Sequence, residues 1–367
     1  MTFPELRIGE LVARVPIIQG GMGIGVSLSG LATAVANQGG IGVIAAAGLG
    51  TLSSDRNMSY IEASRRILRE EIRKTRKATS GILGVNIMVA LTNFADMVET
   101  SISEEVDLIF SGAGLPLDLP KYMKKGVKTK LVPIISSAKA ARIICKRWLS
   151  RFNMLPDAFV VEGPMAGGHL GFSSEQIDDP EYSLERIIPA VVDAASEYEQ
   201  EKGVSIPVIA AGGVYTGKDI LAFLNLGAAG VQMGTRFVAT HECDADIEFK
   251  KTYVKANEDD LVIIQSPVGL PGRAIRNDYI SSVQQGLKKP FKCVYHCIKS
   301  CSCTESPYCI ARCLANARKG KLKSGFAFAG KNAWRVDRIL SVKELMESLE
   351  EEFSNASKQL ACKAPNV

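Results

Sequence analysis

The chain has 367 residues, of which 46% are hydrophobic and 23% charged, with a formal net charge of +5. This is ordinary globular composition, which excludes a disordered polyelectrolyte, and no run reaches the ~18 uninterrupted apolar residues that a membrane helix needs. The opening MTFPELRIGEL carries Glu5 and Glu10 and lacks the apolar core of a secretory leader, so the expected location is the cytoplasm. The lysine runs Lys121–Lys130 and Arg318–Lys323 read as solvated faces, and no nucleic-acid or membrane partner is expected. Cysteines number nine, an odd count, and without a leader a disulfide framework is not expected.

Short apolar runs rich in β-branched residues alternate with helical patterns, the rhythm of strand–helix units around a parallel sheet. In chain order the strands are predicted at Val15–Gln19, Gly42–Ala45, Leu83–Met88, Leu108–Ser111, Leu131–Ile135, Ala158–Val161, Val208–Ala211 and Gly230–Met233. Several are continuously apolar, as Val132 to Ile135 and Phe159 to Val161, which suits strands covered on both faces. Helices are predicted at Ser59–Lys77, Ser183–Glu201 and Lys218–Leu226, where apolar residues recur on one face. Eight strands with helical crossovers predict an α/β fold, a (β/α)8 TIM barrel; an open doubly wound sheet is the alternative.

The regular rhythm ends after the eighth strand. Residues 244–290 hold a lysine-rich helix and a glycine–proline loop from Ser266 to Arg273, and residues 291–315 are rich in cysteine. The stretch 341–353 is an acidic amphipathic helix, opened by Ser341 with Glu344 three places on as a capping box. The expected division is a barrel of residues 1–243 and 320–355, with 244–319 as a lid or insert containing the Cys-rich segment 293–313.

In a β/α barrel the chemistry sits in the loops that follow the strands. Five such loops are unusual here: Gly20, Gly21, Met22 and Gly23 after the first strand; Asn86 with Met88 at the third; Glu162 to His169, including Gly167 and Gly168, after the sixth; Gly212 and Gly213 after the seventh; and Gln232, Met233, Gly234 and Thr235 after the eighth. The glycines of the last two loops let backbone N–H groups approach a phosphate, with Thr235 as a hydroxyl donor. Gly21, Met22 and Asn86 present backbone and amide groups to the edge of a flat ring. A phosphate at one end and a planar polar ring at the other describe FMN. His169, on a turn with little bulk to bury it, is the expected proton-transfer or substrate-orienting residue, whereas His241 and His296 read as surface residues. Arg273 or Arg276, in or after the Ser266–Arg273 loop, could meet an anion at the mouth.

Six cysteines, 293, 297, 301, 303, 309 and 313, fall within 21 residues, and a helix would put the first three on one face. Structural zinc sites favour two-residue gaps, which are absent, so no metal ligand set is assigned. Reduced thiols, a zinc or iron–sulfur site, and redox signalling stand as alternatives.

At these residues the sequence resembles the nitronate monooxygenase (2-nitropropane dioxygenase) family, which includes the FMN-dependent enoyl-acyl-carrier-protein reductases. The matching stretches are Pro16 to Met22, Gly84 to Met88, Val161 to Gly163 with Ala166 to His169, and PVIAAGGVYTGKDILAFLNLGAAGVQMGTRFVAT from Pro207 to Thr240. The resemblance implies a β/α barrel with non-covalent FMN. It carries the family's catalytic histidine onto His169. It carries the flavin-lining positions onto Gly21, Met22, Asn86, Glu162, Gly167, Gly212, Gly213, Gln232, Met233, Gly234 and Thr235. The expected activity is oxidation of alkyl nitronates with O2; the alternative is enoyl reduction with NAD(P)H as electron donor. The expected partner is thus a small molecule, a nitronate or an enoyl thioester, and a homodimer is compatible with it. The Cys-rich segment lies outside the common pattern.

Overall fold

A hairpin of two short strands, β1 (Leu6–Ile8) and β2 (Leu11–Ala13), opens the computed structural model, which describes residues 2–55, 57–288 and 292–363. Eight parallel strands follow: β3 (Ile17–Gln19), β4 (Gly42–Ala45), β5 (Leu83–Met88), β6 (Leu108–Gly112), β7 (Lys130–Ile135), β8 (Phe159–Glu162), β10 (Val208–Ala211) and β11 (Gly230–Met233), with a two-residue strand β9 (Gly168–His169) between β8 and β10. They are ordered β3-β11-β10-β8-β7-β6-β5-β4. Closure between β3 and β4 comes through Ile41, whose N–H donates to Ile17 O (3.0 Å) and whose carbonyl accepts from Gln19 N–H (3.0 Å). The sheet is therefore a closed (β/α)8 barrel, and the open-sheet alternative is excluded.

Closure explains the continuously apolar strands. Successive side chains point to opposite faces. Ile18, Val43, Phe110, Val132, Val160 and Ile209 fill the barrel interior, joined from below by Leu6, Ile8 and Ala13 of the hairpin. Their neighbours Ile17, Ile44, Val85, Ile109, Leu131, Val161 and Val231 face the surrounding helices. Both faces are dry, so most strand positions on either face are apolar, and Asn86, Glu162 and Gln232 stand near the C-terminal strand ends.

The helices are α1 (Ser29–Asn37), α2 (Tyr60–Ala78), α3 (Phe94–Ser103), α4 (Ala138–Phe152), α5 (Leu184–Lys202), α6 (Gly217–Asn225), α7 (Thr235–Val238), α8 (Ile247–Val254), α9 (Asp278–Gln284), α10 (Ile310–Arg318) and α11 (Val342–Lys363). Ser59 caps α2 in a box with Glu62, and Ser341 Oγ and Glu344 exchange the same pair of bonds at α11. Helix α11 packs on both α6 and α1, completing the outer ring where the eighth crossover would lie. It runs ten residues past the predicted end at 353.

Other elements depart from the sequence reading. The first strand begins at Ile17, two residues later than expected. The strand expected at Ala158–Val161 is shifted one residue and ends on Glu162. The Ser266–Arg273 stretch is not a plain loop: β12 (Leu261–Gln265) and β13 (Pro271–Ile275) form an antiparallel hairpin, and β13 also pairs with β9. Helical periodicity does not hold for Cys293, Cys297 and Cys301, since no helix is found among described residues before Ile310 in that segment.

One carboxylate ties the barrel seam together. Leu28, at the N-cap of α1, has no side-chain acceptor, and Asp244 supplies it from beyond β11. Its Oδ2 accepts from Leu28 N (2.7 Å) and Leu31 N (3.2 Å), and its Oδ1 from Gly30 N (3.1 Å). Replacing it orphans three donors at a helix start. Asp244→Ala is expected to cost about 2 kcal/mol in urea unfolding, with Asp244→Asn recovering roughly half.

Candidate active site

The C-terminal strand ends surround a cavity of about 300 Å³. Every site residue expected from the sequence lines it: Gly21, Met22 and Gly23; Asn86 and Met88; Glu162, Gly167, Gly168 and His169; Gly212 and Gly213; Gln232, Met233, Gly234 and Thr235. Among the described residues, neither lysine nor arginine lines it.

The glycines are there for specific physical reasons. A Cβ on Gly21 would sit 2.3 Å from Asn86 Cβ, so the first loop passes flat against the third strand. Gly212 and Gly213 both have φ near +90° (89° and 94°), where a side chain is strained. Together they leave a wall of bare backbone. Among the described residues, two polar atoms at this cavity are buried without a hydrogen-bond partner, Gln232 Oε1 and Tyr60 Oη. Buried polar groups are normally paired, so each marks a place for a ligand atom or water. Burial keeps the Tyr60 hydroxyl protonated well beyond the ordinary phenol range.

His169 is held by strand addition. Within β9 it stands opposite Gly272 of β13, and its ring meets Phe328 edge-on at 5.0 Å between centroids. Its Nε2 shares a 2.7 Å hydrogen bond with Ser266 Oγ, which also accepts Val268 N–H (3.2 Å). Behind the turn, the buried guanidinium of Arg273 donates through Nη1 to Pro164 O (2.6 Å) and Ala166 O (2.8 Å). Arg273 therefore does not meet an anion at the mouth; it fixes the carbonyls of the His169 turn. Arg276 is exposed, as are His241 and His296.

Residues beyond the eighth strand supply an apolar outer wall, with Val268, Ile298, Ile310, Leu314 and Phe328. Neither these nor Ser266 and Tyr60 were expected from the sequence. Ser266 had a weak signal in its glycine–proline setting, but its pairing with His169 spans 97 residues of chain. Tyr60 was hidden because it opens an otherwise ordinary capped helix.

Burial disfavours the charged forms of Glu162 and His169. The Glu162 carboxyl is pushed up to about 7 and the His169 imidazole down to about 4, each by loss of solvent. A raised carboxyl favours the fold when protonated, so its contribution is full below pH 4.5 and is lost as pH rises through 7. The lowered histidine contributes above 6.5, and this is lost as pH falls through 4. Glu162→Gln is therefore expected to abolish a stability decline of up to about 3 kcal/mol between pH 4.5 and 8, measured by urea unfolding across that range.

Comparison with known proteins agrees with this architecture. The family model described as nitronate monooxygenase matches residues 6–106 and 92–352. A (3aS,4S,5R,7aS)-5-hydroxy-7a-methyl-1-oxo-octahydro-1H-indene-4-carboxyl-CoA dehydrogenase of Mycobacterium tuberculosis is 32% identical over 74% of this chain and 66% of its own length. This chain thus spans about two thirds of that relative. A probable nitronate monooxygenase of Staphylococcus haemolyticus is 28% identical over 75% of this chain and 79% of its own. Among solved structures, FabK from Thermotoga maritima superposes with a TM-score of 0.71 at 29% identity, covering 94% of each chain. With the match running nearly end to end, the chain belongs to the nitronate monooxygenase family and is an oxidoreductase.

Proposed function

We propose that this chain is an FMN-dependent oxidoreductase that oxidises alkyl nitronates with O2, using His169 at the substrate. The observation that supports this reading most is the cavity itself: bare glycine backbone on one side and a neutral, anchored imidazole on the other. The residues fit the cofactor. Gly212, Gly213, Gly234 and Thr235 would take the phosphate, with no side chain in the way of the glycine backbones. Gly21, Met22, Gly23, Asn86, Met88 and Gln232 would take the ring, and the orphaned Gln232 Oε1 supplies an acceptor for a ring N–H. Glu162, Gly167, Gly168 and Met233 would close the remaining wall. FMN, when bound, would supply the redox chemistry between substrate and oxygen.

The protein's part is orientation and proton handling. Neutral His169 can donate to a nitro oxygen from one nitrogen, or accept the α-proton of a neutral nitroalkane. Ser266 and the Arg273-held turn keep the ring from swinging away. Residues 244–319 act in this reading as the cover of the mouth, excluding water from the reacting centre.

One observation favours a second reading, reduction of an enoyl thioester with NAD(P)H as donor. The apolar outer wall and the lack of a lining cation suit a neutral acyl group better than a small anion. The M. tuberculosis relative is named for a carboxyl-CoA substrate.

Anaerobic mixing of the oxidised, FMN-loaded enzyme separates the two. With propyl-2-nitronate the yellow colour is expected to bleach rapidly, and with NADH or NADPH slowly. Bleaching by pyridine nucleotide alone would transfer the assignment to the enoyl reductase. His169→Asn is expected to slow substrate-driven bleaching by about 100-fold or more while leaving FMN content unchanged.

A further inference from the structure

On the reading that places His169 at the reacting end, we propose that Tyr60 sets substrate specificity. Its phenol donates a hydrogen bond to a neutral carbonyl at the far end of an apolar substrate. Tyr60 opens α2, the helix that follows β4, whereas His169 follows β8. In the closed ring of eight strands β4 and β8 are four places apart, so the two residues rise from opposite sides of the rim. Both line the same cavity.

The phenol is fixed where it stands. Ser59 and Glu62 cap the start of its helix. The ring lies against Gly50, where an added Cβ would come within 2.5 Å of Tyr60 Cδ2. On another side the Tyr295 ring meets it at 5.8 Å between centroids. Ile24, Cys297, Ala311 and Leu314 belong to the same apolar cluster, and each also lines the cavity. Amid these side chains Oη is buried with no hydrogen-bond partner among the described residues. Ser64 Oγ, one turn further on, donates to the backbone carbonyl of Tyr60 (2.7 Å). A buried hydroxyl left unmet is costly, so its partner comes from outside the chain.

The surroundings fix the class of that partner. Burial holds the phenol protonated, which makes it a donor. Among the described residues no lysine or arginine lines the cavity, so a carboxylate or phosphate oxygen would lose its solvent with no charge to offset it. A neutral carbonyl oxygen needs only the one donor. The apolar outer wall, with Ile298 and Ile310, suits a hydrocarbon frame. The residues assigned to the flavin come from the ends of β3, β5, β8, β10 and β11, whereas Tyr60 stands on the helix after β4. The favoured substrate is thus a long or ringed apolar molecule with a second carbonyl remote from the reacting group. A short alkyl nitronate uses only the His169 end.

Isothermal titration calorimetry of the FMN-loaded full chain tests this. The probes are linear diketones from 2,5-hexanedione to 2,11-dodecanedione, each paired with the methyl ketone of equal length. At the spanning length the diketone is expected to bind roughly 10-fold tighter, and Tyr60→Phe to reduce that ratio to about one. Because the hydroxyl has no partner within the fold, Tyr60→Phe should hold or raise the thermal midpoint, and its FMN uptake should match the wild type. Equal affinity of both series at every length would overturn the proposal, as would a preference that survives in Tyr60→Phe. So would a lower midpoint or weaker FMN uptake in that variant. Failure of the nitronate reading is seen separately, as a flavin that nitronate does not bleach. A chain that takes up no FMN would sink the cofactor reading, and the same titration is then read on the protein alone.

Discussion

A parallel sheet must cover both faces and both edges, and here it does so by closing on itself. The closing contact is small: Ile41, outside β4, bonded on both sides to Ile17 and Gln19 of β3. Its consequence is large, because closure directs eight strand ends to one rim. Loops separated by more than two hundred residues, such as Gly21 and Gly234, then share a wall. The hairpin β1–β2 plugs the opposite end with Leu6 and Ile8, and the lysines from Lys121 to Lys130 lead into the start of β7, away from the cavity.

The second constraint is the join between barrel and insert. His169 would be a mobile side chain on a glycine turn without β13, whose pairing to β9 converts that turn into an edge of a sheet. Arg273, buried on the same strand, replaces solvent for the carbonyls of Pro164 and Ala166. A buried guanidinium is costly unless its donors are bonded, and here the bonds are spent on holding the His169 turn. The segment carrying β13 therefore does two things: it positions the histidine and shields it, and the loss of solvent pushes the imidazole down to about 4.

Much of the fold was legible in the sequence because its strands are short, apolar and separated by strong glycine signals. Seven of the predicted strands, from Gly42–Ala45 onward, coincide with observed ones to within a residue at each end. The lining residues were legible too, since Gly212, Gly213 and Gly21 have no structural alternative where they stand. What escaped was long-range. Nothing local in Ser266 shows that it bonds His169, and nothing in Pro271 to Ile275 shows that its partner is a two-residue strand at Gly168. The four-residue spacing of Cys293, Cys297 and Cys301 mimics a helix, yet the chain there folds irregularly around Tyr295 and Ile298, which pack toward Ile24 and Tyr60.

The central claim is that these loops converge on a phosphate-tailed isoalloxazine. The most direct measurement is the flavin content of the purified chain, read from its visible spectrum and from the cofactor released on heat denaturation. The account predicts a yellow protein releasing FMN at about one per chain, or a colourless one that takes up added FMN to that ratio. A colourless protein that binds no added FMN would contradict it.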